Sequence, residues 1–155
     1  MHVRSAVAED VPACIAIIQP YREKLAGYEP RFWKPAANAA AMSTMWFGHL
    51  FTTAEVAIVA EEDGAVSGFL IATHVPSPPI FDIPGRTALI DDFMIADQAR
   101  WDEVGGALLA EARRLLAAKD YAQIVVVNAA KDPDKTAFLE KADLSLASQW
   151  WTASV

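Results

Sequence analysis

The sequence predicts an α/β (α+β) domain built on a mixed, mostly antiparallel central sheet. Two apolar runs at 55–61 and 65–74 follow each other across a short acidic turn that ends in glycine, which is typical of an antiparallel hairpin. Farther along, an apolar run at 87–95, an amphipathic segment at 102–118 and an apolar run at 123–127 predict a strand, a helix and a strand. A connection of that length implies a parallel pair with the helix crossing one face of the sheet.

Composition limits the classes of protein to which the chain can belong. Its 155 residues suit one domain spanning 1–155 and leave no room for a second. Hydrophobic residues make up 54% and charged residues 21%, so a packed core is expected. The formal charge of −7 argues against nonspecific binding of nucleic acid, and no apolar segment is long enough to span a membrane. The amino terminus lacks an apolar signal core, so the expected compartment is the cytoplasm. The lone Cys14 lies among apolar residues and is expected in the core.

The other elements follow from local patterns along the chain. They are strands at 3–7 and near 147–153 and helices from about 10 to 25, 36 to 50 and 133 to 142. Asp10 is placed to cap the first helix, whose first turn tolerates Pro12. In the last strand Trp150 and Trp151 would face opposite sides of the sheet, so at least one ring needs a cover. Strand edges with large apolar residues invite pairing, which predicts a homodimer through this edge.

The turn after the strand at 87–95 leads into a helix through Gly105 and Gly106. Apolar residues recur three or four apart along 104–116, which is the periodicity of a helix packed on a sheet. A helix entered through glycines can present free backbone N–H groups to an anion. The alternative is that the glycines only let the helix and the strand approach closely, and spacing alone does not decide between the two.

This arrangement resembles the GNAT-type N-acetyltransferases, which bind acetyl-coenzyme A (acetyl-CoA) at such a strand, turn and helix. In that family the turn reads Gln or Arg, two residues, Gly, one residue, then Gly or Ala. Here Arg100-Trp101-Asp102-Glu103-Val104-Gly105 supplies the first and last positions, and Glu103 stands where the middle glycine belongs. The resemblance implies a single GNAT-like domain with six to seven strands, helices on both faces, and a fourth and fifth strand that splay apart.

The resemblance also implies where acetyl-CoA would bind. The pantetheine arm would lie between the splayed strands and pair with the backbone at the end of the fourth, and the pyrophosphate would bind at the turn. Matched by position, the implied residues are Met94, Ile95 and Ala96 for the arm, Arg100, Asp102, Glu103, Val104, Gly105 and Gly106 for the pyrophosphate, and Asn128 near the thiol. Asp102 and Glu103 suit the first turn of a helix, but a carboxylate beside a bound anion opposes the attraction of the helix dipole.

Two adjacent acids, Asp91 and Asp92, are the candidate catalytic residues, because they are the acids inside the central strand. Neighbouring strand residues face opposite sides, so one of the two is expected to point toward the pocket or to be buried. Burial without a partner would raise its pKa toward neutrality, which suits a base that takes a proton from an ammonium group or through a water. The alternative is that both acids make structural hydrogen bonds. Asp92 matches the acidic position common in the family.

The family's last helix carries a tyrosine that can protonate the departing thiolate, and here Leu139 replaces it. A leucine cannot donate a proton, so the general acid would be another group, a water, or absent. Tyr121 precedes the fifth strand and is expected at the wrong end of it. Asp132 stands where the family has an asparagine at the start of this helix.

In GNAT folds the segment after the first helix is variable and covers the acceptor pocket. Phe32, Trp33 and Trp46 are therefore the candidates for binding an apolar part of the acceptor. The alternative is that these rings are ordinary core, since aromatic side chains bury large areas.

The sequence is interpreted as an acetyl-CoA-dependent N-acetyltransferase that transfers acetyl to a primary amine by direct attack in a ternary complex. The acceptor would be a small-molecule amine or a protein amine, acetyl-CoA would be a co-substrate, and no metal is implied. Glu103 and Leu139 keep open the alternative of a non-catalytic acyl-CoA-binding or sensing domain. A third reading is an unrelated nucleotide-binding domain.

Overall fold

The computed structural model describes residues 1–77 and 79–155. In these residues the strands are β1 (His2–Ser5), β2 (Val56–Glu62), β3 (Ala65–Val75), β4 (Arg86–Ile95) and β5 (Tyr121–Val126). The α-helices are α1 (Val11–Tyr28), α2 (Ala39–Thr53), α3 (Gly106–Ala117) and α4 (Pro133–Lys141). Short 3-10 turns lie at Ala8–Asp10 and Gln98–Arg100, and a π-helical turn at Trp101–Gly105 leads directly into α3.

The strands form one sheet in the order β1-β2-β3-β4-β5. Consecutive strands pair antiparallel except β4 and β5, which are parallel and are connected through α3. The predicted mixed, mostly antiparallel sheet is therefore confirmed, and so is the strand, helix and strand of the second half.

The prediction of six to seven strands is wrong, because the described residues form five and the segment 144–155 has no regular structure. Trp150 and Trp151 are 82% and 90% exposed instead of lying in a last strand. The strand preference of such a run depends on packing and pairing with neighbours more than on the backbone itself. In the described residues β5 is the edge strand and pairs only with β4, so this segment forms no ladder with it.

Helices cover both faces of the sheet. On β3, a Cβ built on Gly68 would lie 3.1 Å from Leu108 Cδ1 of α3. The next residue, Phe69, packs against Phe47 of α2 with ring centroids 5.5 Å apart. Because successive strand residues face opposite sides, α3 covers one face, and α2 covers the other with α1 packed beside it. Cys14 of α1 is fully buried, which confirms its predicted place in the core.

A β-bulge interrupts the pairing of β3 with β4. The register shifts by one residue here, so that Asp91 and Asp92 of β4 together oppose the single residue Ile71. An extra residue of this kind bends the strand and changes the direction in which its side chains point.

The pairing of β4 with β5 ends before β4 does. The last pair is Ile90 with Val126, followed by one hydrogen bond from Val127 N to Ile90 O at 2.9 Å. Residues 91–95 of β4 extend beyond this pair. The space beside them, between the end of β4 and the chain that follows β5, is referred to below as the β4–β5 gap.

Candidate functional site

The backbone of β4 presents polar groups to the β4–β5 gap. Ala96 N donates to Ser67 O at 2.9 Å. In an antiparallel pair every second residue of a strand hydrogen-bonds through its backbone to the neighbouring strand, and the residues between them turn their backbone groups away. Met94 therefore turns its N–H and C=O to β3, where it lies opposite Phe69. The backbone groups of Phe93 and Ile95 turn the other way, into the gap. Of the predicted arm-binding residues, Ile95 thus turns its backbone groups to the gap, and Met94 does not. Phe93 also turns its backbone groups to the gap, although the sequence analysis did not name it.

Lys135 of α4 reaches into the gap and joins its two sides. Its ammonium nitrogen, Nζ, donates to Phe93 O of β4 at 3.0 Å and to Val127 O, just beyond β5, at 3.2 Å. The residue is 1% exposed, and Nζ lies 5.4 Å from the centroid of the Phe93 ring. Burial lowers the pKa of Lys135 to about 8, although nearby carboxylates oppose that shift.

Sequence reasoning missed Lys135, although one signal was present. Asp132 caps α4 by accepting a hydrogen bond from Lys135 N at 3.2 Å, so the lysine belongs to the first turn of the helix. A cation in the first turn opposes the helix dipole and needs another reason to be there. Its position in the first turn of α4 is the sequence signal that distinguishes Lys135 from the exposed Lys131 and Lys141.

Asp92 is the more buried of the two acids in the bulge, and Asp91 is exposed. Burial raises the pKa of Asp92 to about 6, and the negative charge of Asp91 adds to the shift. The positive charges of Arg22 and Lys135 act in the opposite direction. One acid of the pair is therefore partly buried, with a pKa moved toward neutrality, while the catalytic role of either acid stays a prediction.

Asn128 and Asp132 offer buried acceptors beside the gap. Asn128 Nδ2 donates to Thr136 Oγ1 at 2.9 Å, and that hydroxyl donates to Asp132 O at 2.6 Å. Because the hydroxyl hydrogen is used, Thr136 must accept from Asn128, which fixes the orientation of the amide. Asn128 Oδ1 and Asp132 Oδ2 are buried and have no donor among the described residues. Such acceptors are rare in folded proteins, and they suit a ligand that donates hydrogen bonds.

Ion pairs surround the turn that precedes α3. The Arg100 guanidinium donates to Glu62 at 2.7 and 2.8 Å and to Glu103 at 3.0 and 2.8 Å. Asp102 accepts a hydrogen bond from Lys141 Nζ at 2.8 Å, and Asp102 and Glu103 are both exposed. The two carboxylates of the turn therefore point outward against cations. Arg100 in turn is offset by two carboxylates and brings no surplus positive charge to the turn.

The two glycines of the turn have different surroundings. A Cβ on Gly105 would lie 2.6 Å from Trp101 Cε3, whereas a Cβ on Gly106 would meet nothing within 4 Å. The α-helix begins at Gly106 and not at 102 as predicted, because the π-helical turn, which includes the buried Val104, takes the place of its first turn. Such turns are rare in proteins, and those that occur frequently lie at functional sites.

The predicted acceptor residues lie in two places. Phe32 and Trp33 pack edge to face with centroids 4.6 Å apart, and Trp150 lies 6.3 Å from Phe32. Trp46 is on α2, with its ring 5.9 Å from that of His49. Phe32 is 49% and Trp46 53% exposed, so burial in the core does not explain these two rings. Their role in acceptor binding stays a prediction.

No group of three or more His, Cys, Asp or Glu side chains in residues 1–77 and 79–155 is placed to hold a metal ion. Within the same ranges, the helices are too short or too polar to cross a membrane.

No family model matches the chain, and no curated protein matches it. Solved structures do match. The tetramutant of the BH1408 protein from Bacillus halodurans is 12% identical, with a TM-score of 0.83 over 100% of both chains. An apo aminoglycoside antibiotic 6'-N-acetyltransferase from Acinetobacter haemolyticus is 11% identical, with a TM-score of 0.74 over 100% of this chain and 98% of that one. A protein from Clostridium acetobutylicum described as a predicted acetyltransferase, solved with acetyl-CoA, is 15% identical, with a TM-score of 0.71 over 99% and 95%. The chain therefore has the fold of GNAT-type acetyltransferases, as its sequence predicted.

The packing around the two glycines can be tested with a matched pair of variants. Gly105→Ala is expected to lower the free energy of unfolding by about 1–3 kcal/mol, because the new methyl group overlaps the Trp101 ring. Gly106→Ala adds the same methyl group in open space on a helix and is expected to raise the free energy of unfolding by up to about 1 kcal/mol. Urea denaturation measures both, and equal effects would contradict this account of Gly105.

The raised pKa of Asp92 predicts a pH-dependent stability. The folded state holds this proton up to about pH 6 and the unfolded state only up to about pH 4, so folding is penalised as pH rises through that interval. Asp92→Asn is expected to remove the penalty and to raise the free energy of unfolding at pH 7–8 by about 1–3 kcal/mol. The difference between Asp92→Asn and the native protein, measured by urea denaturation from pH 4 to 8, should grow between pH 4 and 6 and then level off. A difference independent of pH would show that partial burial does not raise the pKa of Asp92 as described.

Proposed function

We propose that the protein is an acetyl-CoA-dependent N-acetyltransferase that transfers acetyl to a primary amine by direct attack in a ternary complex. The observation that carries the proposal is the β4–β5 gap, where backbone groups of Phe93 and Ile95 are free of the sheet beside the partly buried Asp92. A strand-like ligand with amide groups can pair with such an edge, and the pantetheine arm of coenzyme A is a ligand of that kind. The fold adds support, since a structural neighbour was solved with acetyl-CoA.

The coenzyme would use both sides of the gap. Phe93 and Ile95 supply N–H groups on the β4 side, next to Ala96, where β4 ends. Asn128 Oδ1 supplies a buried acceptor on the other side, which matches the amide N–H groups of a pantetheine arm. Met94 contributes packing only, because its N–H belongs to the pairing with β3.

The pyrophosphate would lie at the turn from Arg100 to Gly106. The turn that leads into α3 attracts an anion through the helix dipole, and the open surroundings of Gly106 leave room for close approach, although Gly106 N–H itself donates to Glu103 O and Trp101 O. Arg100 is the cation of the turn, and it is held by Glu62 and Glu103. A phosphate would therefore compete with two carboxylates for this guanidinium.

Asp92 is the proposed proton acceptor. The amine nitrogen attacks the thioester carbonyl carbon, the bond from that carbon to sulfur breaks, and the proton released from nitrogen passes to the Asp92 carboxylate. Ile95 N–H, which faces the gap, is the proposed donor to the carbonyl oxygen as negative charge develops there. A pKa of about 6 leaves Asp92 ionised at neutral pH and still basic enough to take the proton.

The acceptor is proposed to be an amine with an apolar portion. Phe32 and Trp33, which pack together, and the exposed Trp46 offer aromatic surface after α1 and on α2. The formal charge of −7 favours a cationic or neutral acceptor over an acidic one.

A homodimer also stays a proposal, supported by the exposure of Trp150 and Trp151.

Binding and turnover test the proposal together. Calorimetry with acetyl-CoA, coenzyme A and a mononucleotide identifies the ligand, and release of free thiol in the presence of an amine panel measures transfer. Acetyl-CoA binding with amine-dependent thiol release is the expected result. Binding without turnover would support the non-catalytic acyl-CoA-binding domain, and binding of the mononucleotide alone would support the unrelated nucleotide-binding domain.

The role of Asp92 predicts a loss of rate without a loss of affinity. Asp92→Asn is expected to lower kcat by about 10²–10⁴-fold and to leave the Kd for acetyl-CoA nearly unchanged, because the amide keeps the shape and loses the basicity. In the native protein kcat should rise with pH through about 6, as the carboxyl loses its proton. A full rate in Asp92→Asn with the loss in Asp91→Asn would assign the proton to Asp91 instead.

The ion pairs at the turn predict the effect of a single charge on coenzyme binding. Glu103→Gln is expected to tighten acetyl-CoA binding by about two- to fivefold, since it removes a negative charge worth about 0.3–1 kcal/mol near the helix start and releases Arg100. Glu111→Gln is the matched control, because Glu111 pairs with Arg114 at the same spacing but on the body of α3. Calorimetry compares the two, and an equal change in both would move the pyrophosphate away from this turn.

A further inference from the structure

Lys135 is the one buried lysine or arginine in the described part of the chain, and its ammonium lies at the base of the β4–β5 gap. An ammonium has three N–H donors, and the carbonyls of Phe93 and Val127 take two of them. The described residues provide no third acceptor and no carboxylate within salt-bridge distance of Nζ. One N–H of this buried cation therefore has no hydrogen-bond acceptor among the described residues, and the rings of Phe93 and Trp101 lie 5.4 and 5.8 Å from Nζ.

Carboxylates on two elements set the charge around this ammonium. Asp132 at the start of α4 and Asp91 and Asp92 in the bulge of β4 all favour the protonated form, while burial disfavours it. The positive charge of Arg22 on α1 lowers the pKa of Asp92. A group so placed is charged at neutral pH and can still release a proton.

We propose that Lys135 is the general acid of the transfer reaction and gives a proton to the thiolate of coenzyme A as it departs. This role rests on the proposed function and concerns the half of the reaction that Asp92 does not serve. As the bond from carbon to sulfur breaks, the electron pair stays on sulfur, and the sulfur takes a proton from Nζ. Lys135 becomes neutral, and Asp92 holds the proton that came from the amine. Transfer of one proton from Asp92 to Lys135 through solvent restores both groups, so that amine and thioester give amide and free thiol.

The match of pKa values and the lack of a better proton donor nearby favour Lys135 as the general acid. A thiol such as that of cysteine has a pKa near 8.5, so a proton moves from an ammonium with a pKa of about 8 to a thiolate with almost no penalty. Tyr21, also near Asp132 and Asp91, is a weaker acid, because burial raises its pKa to about 12. Leu139 has no proton to give, and Tyr121 lies at the start of β5, at the opposite end from the gap.

Two substitutions separate proton donation from charge and from packing. Lys135→Met keeps an unbranched stem and removes charge and proton, whereas Lys135→Arg keeps charge and hydrogen-bond donors but does not release a proton near neutral pH. Both variants are expected to lose about 10²–10⁴-fold in kcat with acetyl-CoA and to bind it with nearly native Kd. Lys131→Met, on an exposed lysine outside the gap, is the control and should keep the native kcat.

The pH profile gives a readout that a purely structural lysine would not move. In the native protein kcat should fall above about pH 8 as the ammonium loses its proton, and the residual rate of Lys135→Arg should show no such fall. Full activity in Lys135→Arg would overturn the role, since charge alone would then suffice. If neither variant folds, a native kcat that stays constant up to pH 9.5 would overturn it, and a fall centred near 8 would support it. A native protein without acetyl-CoA binding would overturn the proposed function as well, whereas native turnover with active Lys135 variants would overturn only the role of Lys135.

Discussion

Backbone pairing between β4 and β5 stops at Ile90, although β4 continues for another five residues inside the protein. Buried N–H and C=O groups need partners, and an unpaired strand edge would normally be costly there. Side chains satisfy part of this edge, because Lys135 donates to Phe93 O and Gln98 Nε2 donates to Ile95 O at 2.7 Å. Both side chains donate to carbonyls. The N–H groups of Phe93 and Ile95 turn to the same edge, where the proposed amide ligand would supply acceptors.

The charges around the gap depend on one another. A buried ammonium is costly alone, and Asp91, Asp92 and Asp132 lower that cost for Lys135. In return, Lys135 and Arg22 keep the pKa of Asp92 below the value that its burial would give by itself. The carboxyl group of Asp92, with a pKa of about 6, and the ammonium group of Lys135, with a pKa of about 8, therefore lie on either side of neutral pH. Their environments move the two pKa values toward each other, so both groups can exchange protons under the same conditions.

Local patterns in the sequence predicted most of the fold, and the errors lie where tertiary contacts decide the outcome. The hairpin and the parallel pair followed from apolar runs whose neighbours are adjacent in the chain. The last strand did not form: Trp150 and Trp151 are exposed, and the outer edge of β5 stays unpaired in the described residues. Asp92 was singled out because an acid inside an apolar run is conspicuous, and its catalytic role stays a prediction. Lys135 was missed because its burial depends on β4, some 40 residues away in sequence, and a lysine near a helix start is ordinarily solvated.

The two glycines before α3 show how a motif can combine two separate requirements. Sequence alone offered close packing and anion binding as competing explanations for the pair. Close packing accounts for Gly105, since Trp101 occupies the space of its side chain and stacks on Phe138 with centroids 5.2 Å apart. No described neighbour crowds Gly106, so packing gives no reason for a glycine there. The carboxylates of the turn are held outward by Lys141 and Arg100, so an uncrowded glycine here leaves room for the proposed approach of a phosphate, although Gly106 N–H already donates to Glu103 O and Trp101 O. The two explanations therefore apply to different residues: packing accounts for Gly105, and Gly106 is the glycine that leaves room at the proposed coenzyme site.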